Sequence, residues 1–286
     1  RDAVGRGVRT DEERETREIG YARGGYLLLI AATLVLMFPI LYAFSISFMS
    51  GAEVLEGKIW PSSFSFENYR DAFEKVPLLH YLINSFAVSI FVMAGQLLVS
   101  SLAAFAFVFI KFKGRDTIFF LFISTMMIPW EATMVPNFLT AQKLGWINNY
   151  LGLTIPFFAL AFGTFLLRQQ FKTIPNELYE ASQVAGISRF RFFWNVVLPV
   201  SKTSLVTLGV YSFLTTWNMY LWPLLVTNTE DVRTVQIGLK QMQTQEISTD
   251  WGVVMAAVVV VILPTLLLLF LGQKRLQKGL TQGAIK

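Results

Sequence analysis

Six apolar runs dominate this 286-residue chain, at residues 24–48, 84–110, 117–140, 150–167, 204–226 and 252–272, all uncharged but for Glu131 in the third. Each approaches or exceeds the roughly 20 residues of helix that a bilayer core requires. In lipid the backbone must satisfy its own hydrogen bonds, so runs of this kind are expected to fold as membrane-crossing helices. The fold class read from the sequence is therefore all-α, a polytopic membrane protein with six transmembrane helices. The third run contains Pro129 and Pro136, tolerable where neighbouring helices satisfy the freed carbonyls. The fourth is short, with 18 residues.

Lysine and arginine set the direction of insertion, because they accumulate in cytoplasmic loops. With the N-terminus inside, the inner segments hold 18 of the 24 cationic residues and the outer segments 6. The sequence thus predicts cytoplasmic N- and C-termini. The domain reading is a cytoplasmic tail at 1–23, a six-span body at 24–272 with a long cytoplasmic loop at 168–202, and a cytoplasmic tail at 273–286. The net charge is +5, and the basic residues are spread mainly over four segments on one face, which points to membrane lipid as a partner and to no nucleic acid.

Catalytic chemistry has little material here. There is no cysteine, and His80 is the single histidine. Thiolate catalysis and thiolate metal sites are excluded, and a histidine-based centre would have to be built on one residue that precedes the second run. A phosphate-binding GxxxxGK[ST] loop is absent too, so any ATP that drives this protein must be bound by a partner ATPase subunit. The chain reads as a non-enzymatic subunit with no catalytic, cofactor-binding or metal-binding residues of its own.

The loop at 168–202 carries far more punctuation than a passive connection needs. A first short helix is expected after Pro175, capped by Thr173 or Asn176 and ended by Gly186. A second is expected to be capped by Ser188 and to run to Pro199. Leu178, Ala181, Ser182 and Ala185 fall on one stripe of the first helix and are mostly small, which lets another backbone approach. Phe190, Phe193, Trp194 and Val197 form a bulky stripe on the second that requires burial. The pair either packs beneath its own bundle, lies in the lipid interface, or serves as a rigid docking element for a cytosolic partner.

The order Glu180-Ala181-Ser182, then Gly186, then Val196-Val197-Leu198-Pro199 resembles the cytoplasmic signature of bacterial binding-protein-dependent ABC-importer permeases. Ser182 stands for a second alanine and Val196 for an isoleucine. Asn84-Ser85, Ile128-Pro129, Val135-Pro136, Gly152-Leu153, Trp217-Asn218, Trp222-Pro223 and the C-terminal Gly279 to Ala284 are similar to the maltose-type carbohydrate uptake branch. The resemblance implies the type I ABC importer permease fold in the bacterial inner membrane. It also implies a second homologous permease, two cytosolic ABC ATPases and an extracytoplasmic solute-binding protein. The first loop helix would then couple to the ATPase through Glu177, Tyr179, Glu180, Ala181, Ser182, Val184, Ala185 and Gly186. Sugar or oligosaccharide is the implied solute, with glycerol phosphate or another polar solute as the alternative. A secondary transporter or a non-transporting scaffold remains the reading from another class.

For the solute pathway, the sequence offers Glu131 as an ionisable residue within the third run, and Trp217, Asn218 and Tyr220 in the fifth. Aromatic faces stack on sugar C–H surfaces while an amide bonds hydroxyls. The competing readings are a structural carboxylate beside Pro129, and aromatic rings placed at the headgroup level. Trp222 fits the latter expectation.

Overall fold

The computed structural model describes residues 11–244 and 250–281, and the side chains of 25–243 and 250–273 within them. The helices, in chain order, are α1 (Asp11–Ile46), α2 (Gly51–Leu55), α3 (Glu67–Lys75), α4 (Leu78–Phe109), α5 (Arg115–Ser124), α6 (Trp130–Lys143), α7 (Tyr150–Thr154) and α8 (Ala161–Phe171). They continue as α9 (Asn176–Val184), α10 (Arg189–Phe192), α11 (Leu198–Val200), α12 (Lys202–Trp217), α13 (Leu221–Val226), α14 (Val235–Thr244) and α15 (Trp251–Thr281). Among the described residues there is no strand.

Three continuous helical stretches are long and apolar enough to cross a bilayer: Gly25–Ile46, Leu78–Phe109 and Trp251–Gln273. Three bent pairs bring the number to six where each pair is one span. The third run departs most from a single rod. It breaks after Met127 and turns by 100° into α6. Proline disfavours the helical region for its predecessor, and Ile128 accordingly lies at φ −87° and ψ 117°. Pro136, by contrast, sits inside α6 without ending it. The fourth run bends by 44° between Phe157 and Ala161. There α4 contributes side-chain donors: the Gln96 side-chain amide donates to the Phe157 carbonyl at 2.8 Å and Ser100 Oγ to that of Leu160 at 3.4 Å.

The α4 helix is the axis of the molecule. It packs against α8 and α12, and α12 in turn against α15. Close approach depends on glycine. A Cβ on Gly163 would come within 2.6 Å of Ser100 Oγ and 3.1 Å of Leu208, so α8 can pack against α4 and α12 only without one. Near the N-terminal end of α4, Asn84 Nδ2 donates to the carbonyls of Asp231 and Arg233, both at 2.9 Å. Its Oδ1 accepts from the Tyr150 hydroxyl at 2.6 Å. Ser85 Oγ accepts from the Val235 amide at 2.8 Å. Asn84 and Ser85 therefore tie three segments together at the mouth of the bundle. His80, in the first turn of α4, is exposed and lies 2.8 Å from the Asp231 carbonyl.

Candidate functional site, a helix presented on an aromatic pedestal

Helix α9 follows Pro175 and ends in a Schellman arrangement. The Ile187 amide donates to the Ser182 carbonyl at 2.9 Å and the Gly186 amide to that of Gln183 at 3.1 Å, with Gly186 at φ +70°. The left-handed conformation is open to glycine without a steric penalty. The expected caps Thr173 and Asn176 do not form. Pro175 occupies the cap position without a side-chain bond, and the Thr173 hydroxyl is tied back to the Gln170 carbonyl at 2.7 Å. Ser188 does cap α10, accepting from the Arg191 amide at 3.3 Å.

The two faces of α9 differ sharply. Tyr179 turns inward, its ring 5.2 Å from both Phe109 and Phe192. Ser182 is buried and donates to the Tyr179 carbonyl at 2.7 Å, so serine at this position is satisfied within its own helix. Glu177, Leu178, Glu180, Ala181, Val184, Ala185 and Gly186 are all exposed, with Val184 at 92%. The structure thus brings the eight loop residues together as a short helix with an acidic, small-residue outer face and one aromatic anchor.

Beneath the anchor lies a dense core of Phe105, Phe109, Leu167, Phe171, Ile174, Phe192, Phe193 and Val197. Arg168, in the last turn of α8, reinforces its edge. Its guanidinium carbon stands 3.8 Å over the Phe119 ring, and Nη2 lies 3.3 Å from Asp116, which fixes α8 to α5. Sequence reasoning passed over Arg168 because, in one dimension, it is one cation among five in a basic loop.

The second loop helix departs from the expected stripe. After α10 the chain enters a π-helical stretch, Phe193–Val197. Residues five apart then share a face, so Phe192, Phe193 and Val197 are buried together. Phe190 and Trp194, expected to join them, are exposed at 67% and 47%.

The pathway residues are not brought to one surface. Trp217 is corrected to a core residue: it is 2% exposed, stacked on Phe213 at 5.6 Å, and its indole N–H donates to the Val261 carbonyl at 3.3 Å. No face of that ring is left for a solute. Trp222 is likewise buried rather than placed at the headgroups, donating to the Gly152 carbonyl at 2.9 Å. Asn218 is exposed where α12 breaks, its amide donating to the Leu214 carbonyl at 2.8 Å. Tyr220 is half-buried immediately before α13. Glu131 is exposed in the first turn of α6, beyond the 100° break, where the helix dipole favours a carboxylate. Among the described residues no group of histidine, aspartate and glutamate is arranged to hold a metal ion.

Residues 96–282 match the family of binding-protein-dependent transport system inner membrane components. The chain belongs to that family. It is 38% identical to the sn-glycerol-3-phosphate transport system permease protein UgpE of Brucella abortus, over 90% of this chain and 95% of the relative. It is 34% identical to the protein of the same name from Yersinia pestis, over the same shares. A solved bacterial ABC transporter involved in import of the acidic polysaccharide alginate superposes with a TM-score of 0.81. The identity is 26%, covering 95% of this chain and 99% of the matched one. The permease is thus a multi-pass inner-membrane subunit of an ABC importer with the type I permease fold, and a transport subunit rather than a catalytic one.

Proposed function

We propose that this permease forms one half of a translocation pore, paired with a second homologous permease and driven by two separate ATPase subunits. Its solute is a small phosphorylated polyol of the glycerol phosphate type, delivered by an extracytoplasmic binding protein. Both chain ends and the loop at 168–202 lie on the cytoplasmic side, with the six-span body at 24–272 between tails at 1–23 and 273–286. Closure of the ATPases around ATP displaces α9, the bundle opens outward, and hydrolysis returns it to the inward-facing state.

The observation that carries this reading is the construction of α9. An exposed helix with small side chains and two carboxylates stands on an aromatic core that reaches the ends of α4 and α8. A force applied to that face is delivered to packed helices, because close-packed interiors transmit displacement rather than absorb it. Deleting residues 177–186 is expected to abolish co-purification of the ATPases while the permease still inserts. Retained complex formation would contradict the assignment.

The solute class is supported by identity of 34–38% to the glycerol-phosphate permeases across most of the chain. Sugar or oligosaccharide is the second reading, favoured by the structural likeness to the alginate importer. Asn218 and Tyr220, at the α12–α13 break, and Glu131 are the proposed pathway positions. Uptake of labelled sn-glycerol 3-phosphate by the assembled system, set against a neutral disaccharide, separates the two solutes.

A further inference from the structure

The aromatic pair left outside by the π-helical stretch has a second role. The helical run Arg189–Val200 meets α12 at 81°. With α12 crossing the bilayer, that run lies along the membrane surface instead of through it. Phe190 and Trp194 point away from the buried side of the run and touch edge to face, with ring centroids 6.0 Å apart at 68°. Arg189 and Arg191 flank them, both exposed.

The depth of the pair follows from its neighbour. Phe193 packs on Phe105 at 5.3 Å and on Trp194 at 5.6 Å. Phe105 precedes the last residue of α4 by four positions, which is ~6 Å along a helix. Directly beyond that end come Lys111, Lys113 and Arg115. The rings therefore stand where the apolar span gives way to basic residues, the level that tryptophan favours at a membrane interface. At the bend itself, a cavity of about 420 Å³ is lined by Lys202, Thr203, Leu205 and Val206.

We infer that residues 189–202 form an interfacial anchor for anionic phospholipid, with Phe190 and Trp194 inserted at headgroup depth and Arg189, Arg191 and Lys202 engaging lipid phosphates. Charge selects lipid as the occupant: Arg189 and Arg191 flank Phe190, Lys202 stands at the bend, and basic residues beside a span are attracted to anionic headgroups. The anchor would hold the back of the loop at a fixed depth while α9 moves. It stands independently of what α9 contacts.

The absence of cysteine makes the test direct. A nitroxide on Phe190→Cys, and separately on Val184→Cys as the reference, is placed in the permease pair with cysteine-free partner subunits in nanodiscs containing phosphatidylglycerol. Collision with oxygen and with a water-soluble nickel chelate is then measured with and without the ATPases. The expected result is a label at 190 severalfold less accessible to nickel than the one at 184, before any ATPase is added. Arg189→Glu with Arg191→Glu should raise its nickel access in these discs and leave it unchanged in purely zwitterionic ones. As a check with the ring in place, quenching of native fluorescence by brominated phospholipid should lose a component in Trp194→Phe. Equal nickel access at 190 and 184 would overturn the inference, as would shielding at 190 that appears only when the ATPases bind. A quenching profile unaltered by Trp194→Phe would do the same.

Discussion

Replacing Tyr179 by alanine removes the aromatic side chain that fastens α9 to the bundle. Its ring makes two aromatic contacts, each 5.2 Å between centroids, with Phe109 and Phe192. Aromatic pairs are worth about 0.5–1.5 kcal/mol apiece beyond area burial, and loss of a fully buried aromatic costs about 3–5 kcal/mol. Tyr179 is only half-buried, so a loss of about 3 kcal/mol in docking of α9 is the reasonable scale. That corresponds to roughly a hundredfold fall in the ratio of docked to undocked helix, at about 1.4 kcal/mol per factor of ten. The outer face of α9 is untouched by the change. The expected phenotype is therefore an assembled transporter whose ATPase activity no longer responds to loaded binding protein and whose uptake falls by an order of magnitude or more. Tyr179→Phe keeps both ring contacts and should remain near the parent. Proteoliposome uptake measured beside ATPase activity reads both quantities. Uptake and stimulation equal to the parent in Tyr179→Ala would refute the idea that this ring transmits the motion.

Three further outcomes are expected. Gly163→Val should destabilise the helix bundle by about 1–3 kcal/mol through overpacking, because even a Cβ meets Ser100 Oγ at 2.6 Å; a fall in thermal unfolding temperature in detergent checks this. Asn218→Leu should impair uptake while leaving assembly intact, and unchanged uptake would remove Asn218 from the pathway. Glu53 accepts hydrogen bonds from the Ser62 and Ser50 amides at 2.9 and 3.0 Å; Ser62 foremost, together with Ser50, holds its carboxyl down to about 2 from an ordinary 4.5. A depressed carboxylate pKa stabilises the fold above the unfolded value and loses that contribution as pH falls toward the folded one. Protection of the Ser50 and Ser62 amides, taken relative to their intrinsic exchange rates at each pH, should accordingly fall as pH drops from 4.5 to 2 in the parent, and stay constant over that range in Glu53→Gln.

Much of the architecture was readable because its causes are local. Runs as long as those in α4 and α15 have few alternatives in lipid. Gly186 and Ser188 mark their helix ends by backbone chemistry that any sequence shows. The parts that escaped depend on contacts between distant residues. Nothing local distinguishes Pro129, which breaks its run, from Pro136, which does not; only the neighbouring helices decide whether freed carbonyls find donors. A helical stripe assumes 3.6 residues per turn, so the π-helical stretch at 193–197 exchanged an expected buried Trp194 for a buried Phe192. Trp217 sits two residues from the half-buried Met219 and one from the exposed Asn218. Its inward position follows from the fit against Phe213 and Val261, which no spacing rule contains. Asn84 and Ser85 were noticed only through likeness to a family, whereas their bonds to the loop at 231–235 give the physical reason for their presence.

The direct test of α9 as the mechanical joint is site-specific photo-crosslinking from Val184, a position on that helix that is 92% exposed. A photoreactive residue there should capture an ATPase subunit in the assembled importer, with a yield that changes between the ATP-trapped and nucleotide-free states. Capture of lipid or of the permease alone in both states, with the ATPases present and active, would contradict it.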